Sequence, residues 1–375
     1  MSDKSFNCIR IDTKALQANF SIIRKIAGDR VPVMAMVKAD AYGHGMVMAA
    51  GAFARAGCTV FGVAELREAV LLRQAGIAGD IFVTLGFAAE DTELLFRYAL
   101  TPVIYSLEAA RVLSGTATAL GKEIGIHIKV DSGMSRLGIL AADLSAFLEA
   151  ILTLPGLRVA GIMSHFPESD NPEAESNEKG FAAFSAACSE MKNRCAGIRH
   201  IANSGAVLNF PDTWCDMVRA GISLYGYLPE GRPAPDSTKK VDLIPAMSFT
   251  TKILQVKTLP AGTGVSYGHT FRTKQPITIA VIPVGYEDGF SRLFSNRGEV
   301  LIHGRRAKVR GRVCMNMCMV EVTDVEGVRA GDEVVLLGRQ QEAVITADDL
   351  AEAMGSISYE VLCLLGNNNK REYIE

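Results

Sequence analysis

The stretch Val31-Pro-Val-Met-Ala-Met-Val37 is almost entirely apolar and runs directly into Lys38. The run predicts a buried strand with the lysine at its carboxyl end. A lysine in such a place either pairs with an anion or loses its proton, because burial disfavours the charged amine. A neutral amine is a nucleophile toward carbonyl groups and forms Schiff bases with them. The alternative interpretation is a lysine whose aliphatic chain lies along apolar surface while its amine stays in water.

Short apolar runs of this kind alternate with helix-like segments from about residue 31 to residue 225. Segments such as Glu65–Gly76 have apolar residues at helical spacing and end at a glycine. Eight strand–helix units in a row favour a (β/α)₈ barrel over an open doubly wound sheet, whose local patterns are similar. The eight predicted strands are Val33–Val37, Val60–Ala64, Ile81–Leu85, Pro102–Tyr105, Ile124–Val130, Val159–Met163, His200–Ala202 and Met217–Ala220.

The pattern changes to alternating strands beyond Val241, and helix signal there is nearly confined to Ala347–Met354. The intervening stretch Pro229–Lys240 is rich in proline and charge, which is typical of a linker. We therefore predict an α/β plus β protein, with an N-terminal barrel over residues 1–240 and a mostly β-stranded domain over residues 241–375. The predicted strands of the second domain are Met247–Lys257, Ile277–Ile282, Gly298–His303 and Asp332–Gly338.

Composition limits the classes of partner and compartment. The 375 residues have a formal net charge of -2, which argues against nucleic acid or an anionic membrane as partner and favours a small neutral or zwitterionic ligand. The eight cysteines form no CxxC or CxxH pair, which is typical of a reduced protein. The amino terminus resembles no secretory signal, and no apolar stretch reaches membrane-spanning length. We expect a cytoplasmic protein.

Polar residues with chemical potential follow several of the predicted barrel strands. In a (β/α)₈ barrel the carboxyl ends of the strands form one rim, and the active site lies there. Each of these residues has an ordinary structural interpretation when it is taken alone, but together they predict a pocket. They are Lys38 after the first strand, Lys129 and Arg136 at the fifth, His165 after the sixth, Asn203 and Ser204 after the seventh, and Arg219 in the eighth.

Two glycine turns at the last two strands predict a phosphate site. Loops in this position of a barrel commonly bind phosphate through backbone amides, and glycine allows the backbone to come close. The turns are Ser204-Gly205 and Gly221-Ile222, and Ser204 adds a hydroxyl donor. Because Tyr42 also lies just beyond Lys38, the residues indicate a phosphorylated cofactor near a reactive amine, which points to pyridoxal phosphate.

Eight short motifs follow one another along the chain in the order found in a known enzyme family. They are Met36-Val-Lys-Ala-Asp-Ala-Tyr-Gly-His-Gly45, Lys129-Val-Asp-Ser-Gly-Met-Ser-Arg-Leu-Gly138, Ala202-Asn-Ser204, Arg219-Ala-Gly-Ile222, Val265-Ser-Tyr-Gly268, Val284-Gly-Tyr-Glu-Asp-Gly289, Val313-Cys-Met-Asn316 and Ile357-Ser-Tyr-Glu360. Over essentially its whole length the chain therefore resembles the alanine racemases, which are fold-type III pyridoxal phosphate enzymes. The resemblance implies racemisation of L-alanine and D-alanine, with D-alanine supplied for peptidoglycan.

The resemblance also implies residue roles. Lys38 carries the cofactor and is one base, and Tyr267 of the partner subunit in a homodimer with shared active sites is the other. Arg136 and the partner's Met315 contact the substrate carboxylate, and Lys129 is a candidate for carbamylation. No metal is implied. The implied cofactor-binding residues are Lys38, Tyr42, His165, Asn203, Ser204, Arg219, Gly221, Ile222 and Tyr359.

Alternatives remain within and outside this family. A racemase of serine, lysine or arginine shares the same chemistry, although Tyr359 favours a substrate with a small side chain. A non-catalytic protein that binds pyridoxal phosphate is a second alternative, but the β-rich domain with Tyr267 and Met315 argues against it. The sequence departs from the commonest family pattern at Glu287, His269 and Asn316, which are expected near the substrate entrance.

Overall fold

The computed structural model describes residues 5–229 and 241–375, which divide into two compact units. Within the described residues, the first unit comprises Leu16–Ala41 and Met46–Ile244, and the second comprises the residues up to Ala15, Tyr42–Gly45 and Pro245–Glu375. The predicted linker Pro229–Lys240 lies outside the described residues, apart from Pro229 itself. The domain boundary predicted at residue 240 therefore stays a prediction.

The first unit contains the predicted barrel. Its strands are all parallel and follow one another around the sheet in chain order, with the eighth beside the first. Each of the eight predicted strands is present, so the predicted fold class is confirmed for this unit. The barrel strands are Val33–Met36, Val60–Val63, Asp80–Val83, Thr101–Ile104, Ile124–Asp131, Leu157–Met163, Ile198–His200 and Val218–Ala220.

The seam between the seventh and eighth strands makes the barrel nearly closed. The backbone N–H of Arg219 donates to the carbonyl of Ala202 at 2.9 Å, and that of Asp216 donates to Arg199 at 3.0 Å. All four residues of the first strand, Val33–Met36, are buried. Parallel strands are covered on both faces, which explains why this strand is a continuous apolar run in the sequence.

Helices connect the barrel strands, and local signals set where they end. The helix Leu107–Leu120 begins at Ser106, whose Oγ accepts the N–H of Ala109, and ends at Gly121 with a φ of 60°. That left-handed conformation favours glycine because a β-carbon is strained there. The helices that begin in this part of the chain are Thr13–Ala27, Met46–Arg55, Leu66–Gln74, Thr92–Arg97, Leu107–Leu120, Leu144–Leu152, Glu175–Lys192 and Ser204–Asn209.

The second unit is mostly β-stranded, as predicted. Its largest sheet also contains the amino-terminal strand Cys8–Asp12, which pairs with Met247–Lys252 and with the final strand Arg371–Ile374. The other strands of that sheet are Glu299–Ile302, Arg305–Lys308, Glu333–Gln340 and Ala343–Ile345. A three-stranded sheet comprises Gln255–Leu259, Ile277–Ile282 and Cys318–Glu321, and Gly264–Val265 pairs with Phe271–Arg272.

The second unit has one helix more than the sequence pattern predicted. The expected helix Ala347–Met354 is present, and Ser358–Asn367 forms another. The second helix buries Val361, Leu362 and Leu365. Its apolar residues are held by tertiary packing, which overrides the weak helix preference of its valine, tyrosine and cysteine. Over residues 5–229 and 241–375, no helix combines the length and apolar character that crossing a membrane requires.

Candidate active site

Four cationic side chains converge at the carboxyl-terminal rim of the barrel. Burial lowers the pKa of His165 well below its usual value, and the charges of Arg219, Arg136, Lys38 and Lys129 act in the same direction. His165 is therefore neutral and can accept a hydrogen bond. So many positive charges in one rim favour an anionic ligand.

The amine of Lys129 has a lower pKa than lysines usually have. Burial lowers its pKa to about 8, and the neighbouring charges of Arg219, Arg136 and Lys38 act in the same direction, whereas Asp131 opposes them. At such a pKa roughly a tenth of this amine is unprotonated at pH 7, far more than for an ordinary lysine. The loop that follows is shaped by Asp131, whose Oδ1 accepts the N–H groups of Gly133 and Ser135, and it leads to the exposed Arg136.

Arg219 is 4% exposed and is held by five acceptors. Nη2 donates to the carbonyls of Ser164 at 2.6 Å and Ile201 at 3.1 Å, and to Nδ1 of His165 at 3.1 Å. Nη1 donates to the carbonyl of His200 at 2.8 Å and to its Nδ1 at 3.1 Å. Its Nε–H has no hydrogen-bond acceptor within residues 5–229 and 241–375, so one donor remains for a ligand. Burial lowers the pKa of Arg219 to about 10, and the group stays charged at neutral pH.

The turns after the seventh and eighth strands come together as predicted. The backbone N–H of Gly221 donates to Ser204 Oγ at 2.8 Å, so the Ser204 hydroxyl keeps its own proton for another acceptor. Asn203 Oδ1 accepts from the N–H of Ala206 at 3.1 Å and begins the helix Ser204–Asn209. Beside Ile222 lies Ser223, whose buried Oγ has no partner among the described residues. Ser223 is a candidate ligand contact that the sequence motifs did not identify.

The backbone immediately after Lys38 forms a left-handed turn. Ala39, Asp40, Ala41 and Tyr42 all have φ between 52° and 55°, and the N–H of Ala41 donates to the carbonyl of Val37. Non-glycine residues rarely adopt this conformation, and consecutive ones are strained by about 1–2 kcal/mol each. Asp40 Oδ1 accepts the N–H of Met46 at 2.6 Å, which helps to hold the turn.

Two of the predicted site residues lie together in the second unit. The rings of Tyr42 and Tyr359 have their centroids 6.0 Å apart and are tilted by 49°. Burial raises the pKa of the Tyr42 phenol, and Tyr359 and Cys363 add to the effect. Tyr42 therefore remains protonated and able to donate a hydrogen bond.

Tyr267 and Met315 are exposed on this single chain, by 70% and 54% respectively. Exposed apolar side chains mark a partner surface where they are grouped, and Met317, two residues from Met315, is also 44% exposed. Tyr267 begins a short turn after Ser266, whose Oγ donates to the carbonyl of Arg312 at 2.6 Å. The N–H of Met315 makes no hydrogen bond with a described residue, so this amide is available as a donor.

Two of the departures from the family pattern are partners of each other. The side-chain amide of Asn316 donates to the carboxylate of Glu287. An aspartate at position 316 would instead place two carboxylates together, which is unfavourable. The structure therefore explains why asparagine suits this position beside Glu287.

Comparison with known proteins agrees with the fold. The model of the alanine racemase N-terminal domain matches residues 11–229, and that of the C-terminal domain matches residues 246–373. The chain belongs to the alanine racemase family. It is accordingly an amino-acid racemase, an isomerase, and its relatives support alanine as the amino acid that it racemises.

Individual members of the alanine racemase family match over nearly the full chain. The alanine racemase of Syntrophobacter fumaroxidans is 41% identical over 97% of this chain and 96% of the relative. The crystal structure of alanine racemase from Streptomyces lavendulae has a TM-score of 0.91 and 34% identity, covering 98% of this chain and 97% of that one. The Bartonella henselae enzyme, described with covalently bound pyridoxal phosphate, has a TM-score of 0.89 and 29% identity, covering 99% and 100% of the two chains.

Besides Ser223, the sequence motifs did not identify three further neighbours of the site, His127, His200 and Glu68, although each had a local signal in the sequence. His127 and Lys129 are two residues apart in one strand and therefore face the same side. His200 ends the seventh barrel strand. Glu68 stands three residues after Glu65 at the start of a helix, which is the spacing of a capping box.

Proposed function

We propose that this member of the alanine racemase family interconverts L-alanine and D-alanine with pyridoxal phosphate bound through Lys38. The observation that carries the proposal is the pair of guanidinium groups of Arg219 and Arg136 near His165, together with the unused Nε–H of Arg219. A phosphate and a substrate carboxylate are the anions that such a rim suits. The Bartonella henselae relative, with its covalently bound pyridoxal phosphate, is a second support for this cofactor.

The residues present fit pyridoxal phosphate. The Nε–H of Arg219 would donate to the pyridine nitrogen, next to His165 and Asn203. The phosphate would be held by Ser204, by the backbone at Gly221 and Ile222, and by Tyr42 and Tyr359. When bound, the cofactor reacts through its aldehyde with amines and withdraws electrons from the substrate α-carbon, which acidifies the α-hydrogen.

Two bases on opposite faces then account for racemisation. The Nζ of Lys38 takes or returns the α-proton on one face, and the Oη of Tyr267 from the partner subunit does so on the other face. His165 and Arg219 would orient this phenol through hydrogen bonds.

Arg219 directs the reaction toward racemisation in this scheme. A guanidinium retains its proton, so it donates a hydrogen bond to the pyridine nitrogen without protonating it. Held in this way by Arg219, the cofactor would withdraw less electron density, which would favour return of the proton to the α-carbon. This is the reason we favour racemisation over transamination.

Arg136 and the amide of Met315 from the partner subunit would bind the substrate carboxylate. We further propose that Lys129 is carbamylated, because its pKa of about 8 leaves a nucleophilic amine that adds to carbon dioxide. The carbamate is an anion, and it would replace a repulsive neighbour of Arg136 with an attractive one.

The proposal includes a homodimer with shared active sites in the cytoplasm that supplies D-alanine for peptidoglycan. Its main support is the exposure of Tyr267 and Met315 on the isolated chain. We favour a small substrate such as alanine over serine, lysine or arginine, because the ring of Tyr359 would fill the space that a longer side chain needs. A panel of L-amino acids in a chiral assay distinguishes these substrates.

The decisive experiment replaces the proposed covalent attachment point. Lys38→Ala should lose both racemase activity and the cofactor absorbance that depends on the lysine, and borohydride reduction of the wild type should label the Lys38 peptide. Lys122→Ala is the matched control, because Lys122 is an exposed lysine in the same unit. Retention of the absorbance and of activity in Lys38→Ala would contradict the proposal.

A further inference from the structure

We propose that His200 and His127 are positioning residues for Arg219, linked to it in one hydrogen-bonded chain in which each ring has a fixed tautomer. The inference deepens the proposed function, because it rests on the role assigned there to Arg219. Neither histidine lies among the residues that the sequence motifs assign to the site.

The direction of the hydrogen bonds follows from the chemistry of a guanidinium. Arg219 can only donate, so the Nδ1 of His200, which lies 3.1 Å from Arg219 Nη1, is an acceptor. The proton of His200 is then on Nε2. That nitrogen lies 2.9 Å from Nδ1 of His127 and donates to it, which places the His127 proton on Nε2 as well.

Both histidine rings are neutral, as the hydrogen-bonded chain requires. Burial is the largest cause that lowers the pKa of His127, to about 3, and Arg158 and Arg219 add to it. The pKa of His200 also lies well below its usual value, because of burial first and then the charge of Arg219 and the neighbouring His127. A charged His200 would have no acceptor at Nδ1 to offer Arg219.

Packing contacts around the two histidine rings hold their orientation. Phe82 meets both rings edge-on, with its centroid 4.8 Å from that of His127 and 5.9 Å from that of His200. Gly161 provides the space, because a β-carbon there would lie 2.1 Å from Cε1 and 2.4 Å from Nδ1 of His127. The glycine in this strand is therefore explained by the approach of the ring.

The hydrogen-bonded chain affects the orientation of Arg219, because His200 supplies two of the five acceptors of Arg219. The carbonyl of His200 is fixed by the backbone, but its Nδ1 depends on the ring and on the partner that sets the tautomer. If Nδ1 carried the proton, two donors would face each other and Arg219 would turn away. The direction of the unused Nε–H of Arg219 thus depends on His127, 73 residues before His200.

Two substitutions of His200 separate this role from simple filling of space. His200→Asn places an amide oxygen near the position of Nδ1 and retains an acceptor for Arg219. His200→Gln reaches the position of Nε2, and so contacts His127 but not Arg219. We expect His200→Asn to keep kcat within about threefold of the wild type, and His200→Gln to lose about tenfold or more in kcat with little change in KM.

Transamination of alanine to pyruvate is a side reaction whose share of turnover would not change if His200 had only a structural role. The ratio of pyruvate to racemised alanine should rise in His200→Gln and stay near the wild-type value in His200→Asn. Both variants are compared by thermal unfolding, so that a general loss of stability is visible. Equal losses of kcat at equal stability, or a greater loss in His200→Asn, would overturn the proposal.

The tautomers are measured independently of activity. Selective ¹⁵N labelling of the six histidines and long-range ¹H–¹⁵N correlation spectra report which ring nitrogen carries the proton. We expect the Nε2–H form at His200 and His127, without titration between about pH 6 and pH 9. The signals are assigned from His127→Gln and His200→Asn. An Nδ1–H form or a charged ring at either position would overturn the proposal. If Lys38→Ala instead retained the cofactor absorbance and activity, the proposed function would be overturned, and the tautomer measurement would be unaffected.

Discussion

The backbone N–H of Ala39 donates to Oε1 of Glu68 at 2.8 Å, which ties the residue after Lys38 to the helix that follows the second barrel strand. The other carboxylate oxygen of Glu68 accepts the N–H groups of Ala64 and Glu65. One side chain therefore caps its own helix and restrains the left-handed turn beside Lys38. Strained turns persist only where the surroundings hold them.

Glu68→Gln should weaken this restraint. An amide has one oxygen, so an N–H donor on one side would face the NH₂ group on the other. We expect a loss of about 1–2 kcal/mol in the free energy of unfolding and about a tenfold lower kcat. Urea unfolding and steady-state kinetics measure the two effects. Glu108→Gln, an exposed acid in the first turn of another barrel helix, is the control. Unchanged kinetics in Glu68→Gln would show that the turn does not depend on this carboxylate.

Mixed subunits test whether the active sites are shared. Lys38→Ala and Tyr267→Phe should each be nearly inactive as homodimers. In a heterodimer of the two variants, a shared arrangement leaves one site with both wild-type bases, so an equal mixture after subunit exchange should recover about a quarter of the wild-type activity. Failure to recover activity, with heterodimers demonstrated by mass spectrometry, would argue against Tyr267 as a base from the partner.

The low pKa of Lys129 predicts how stability depends on pH. The folded protein releases this proton near pH 8, whereas the unfolded chain holds it to about pH 10.5. The unfolded state therefore binds more protons between these values, and folding stability due to Lys129 rises with pH across that window. Below about pH 8 the buried amine of Lys129 is charged in the folded protein, and its full desolvation cost lowers the folding stability.

Urea unfolding in carbon dioxide-free buffer measures this effect. Relative to Lys129→Met, the wild type should gain stability between about pH 7.5 and about pH 10. Lys122→Met, at an exposed lysine, should show no such trend. A parallel pH dependence of the wild type and Lys129→Met would contradict the lowered pKa.

Arg219→Glu should divert the reaction toward transamination. A carboxylic acid can protonate the pyridine nitrogen, which a guanidinium does not, so the ratio of pyruvate to racemised alanine should rise by about tenfold or more. Arg219→Lys keeps a cation and should raise the ratio less. Chiral and pyruvate-linked assays on the same reaction provide both quantities. An equal ratio in the wild type and Arg219→Glu would refute the role proposed for Arg219.

Much of the fold was predictable because buried strands and helices have a recognisable pattern of apolar residues in the sequence. Barrel strands such as Val33–Met36 are buried on both faces and appear as continuous apolar runs. The rim residues were predictable for a related reason, since the carboxyl ends of parallel strands meet at one edge. Lys38, His165 and Arg219 could therefore be grouped from their positions in the sequence.

Other features had no local record. The left-handed turn from Ala39 to Tyr42 contains no glycine, so nothing in its composition marks it. The helix Ser358–Asn367 was missed because its packing, and not its helix propensity, stabilises it. The final strand Arg371–Ile374 pairs with the strand Cys8–Asp12 at the other end of the chain, and such pairing has no signature in either segment.

The sequence by itself determined the barrel, the order of its strands and the identity of the residues at its rim, because periodicity and burial are properties of neighbouring residues. The tertiary structure alone decided which polar atoms meet. Hydrogen bonds such as that from the turn after Lys38 to Glu68, or those from Arg219 to His200 and from His200 to His127, join segments far apart in the chain. They form only where packing brings a donor within about 3 Å of an acceptor, and spacing along the chain does not encode that distance.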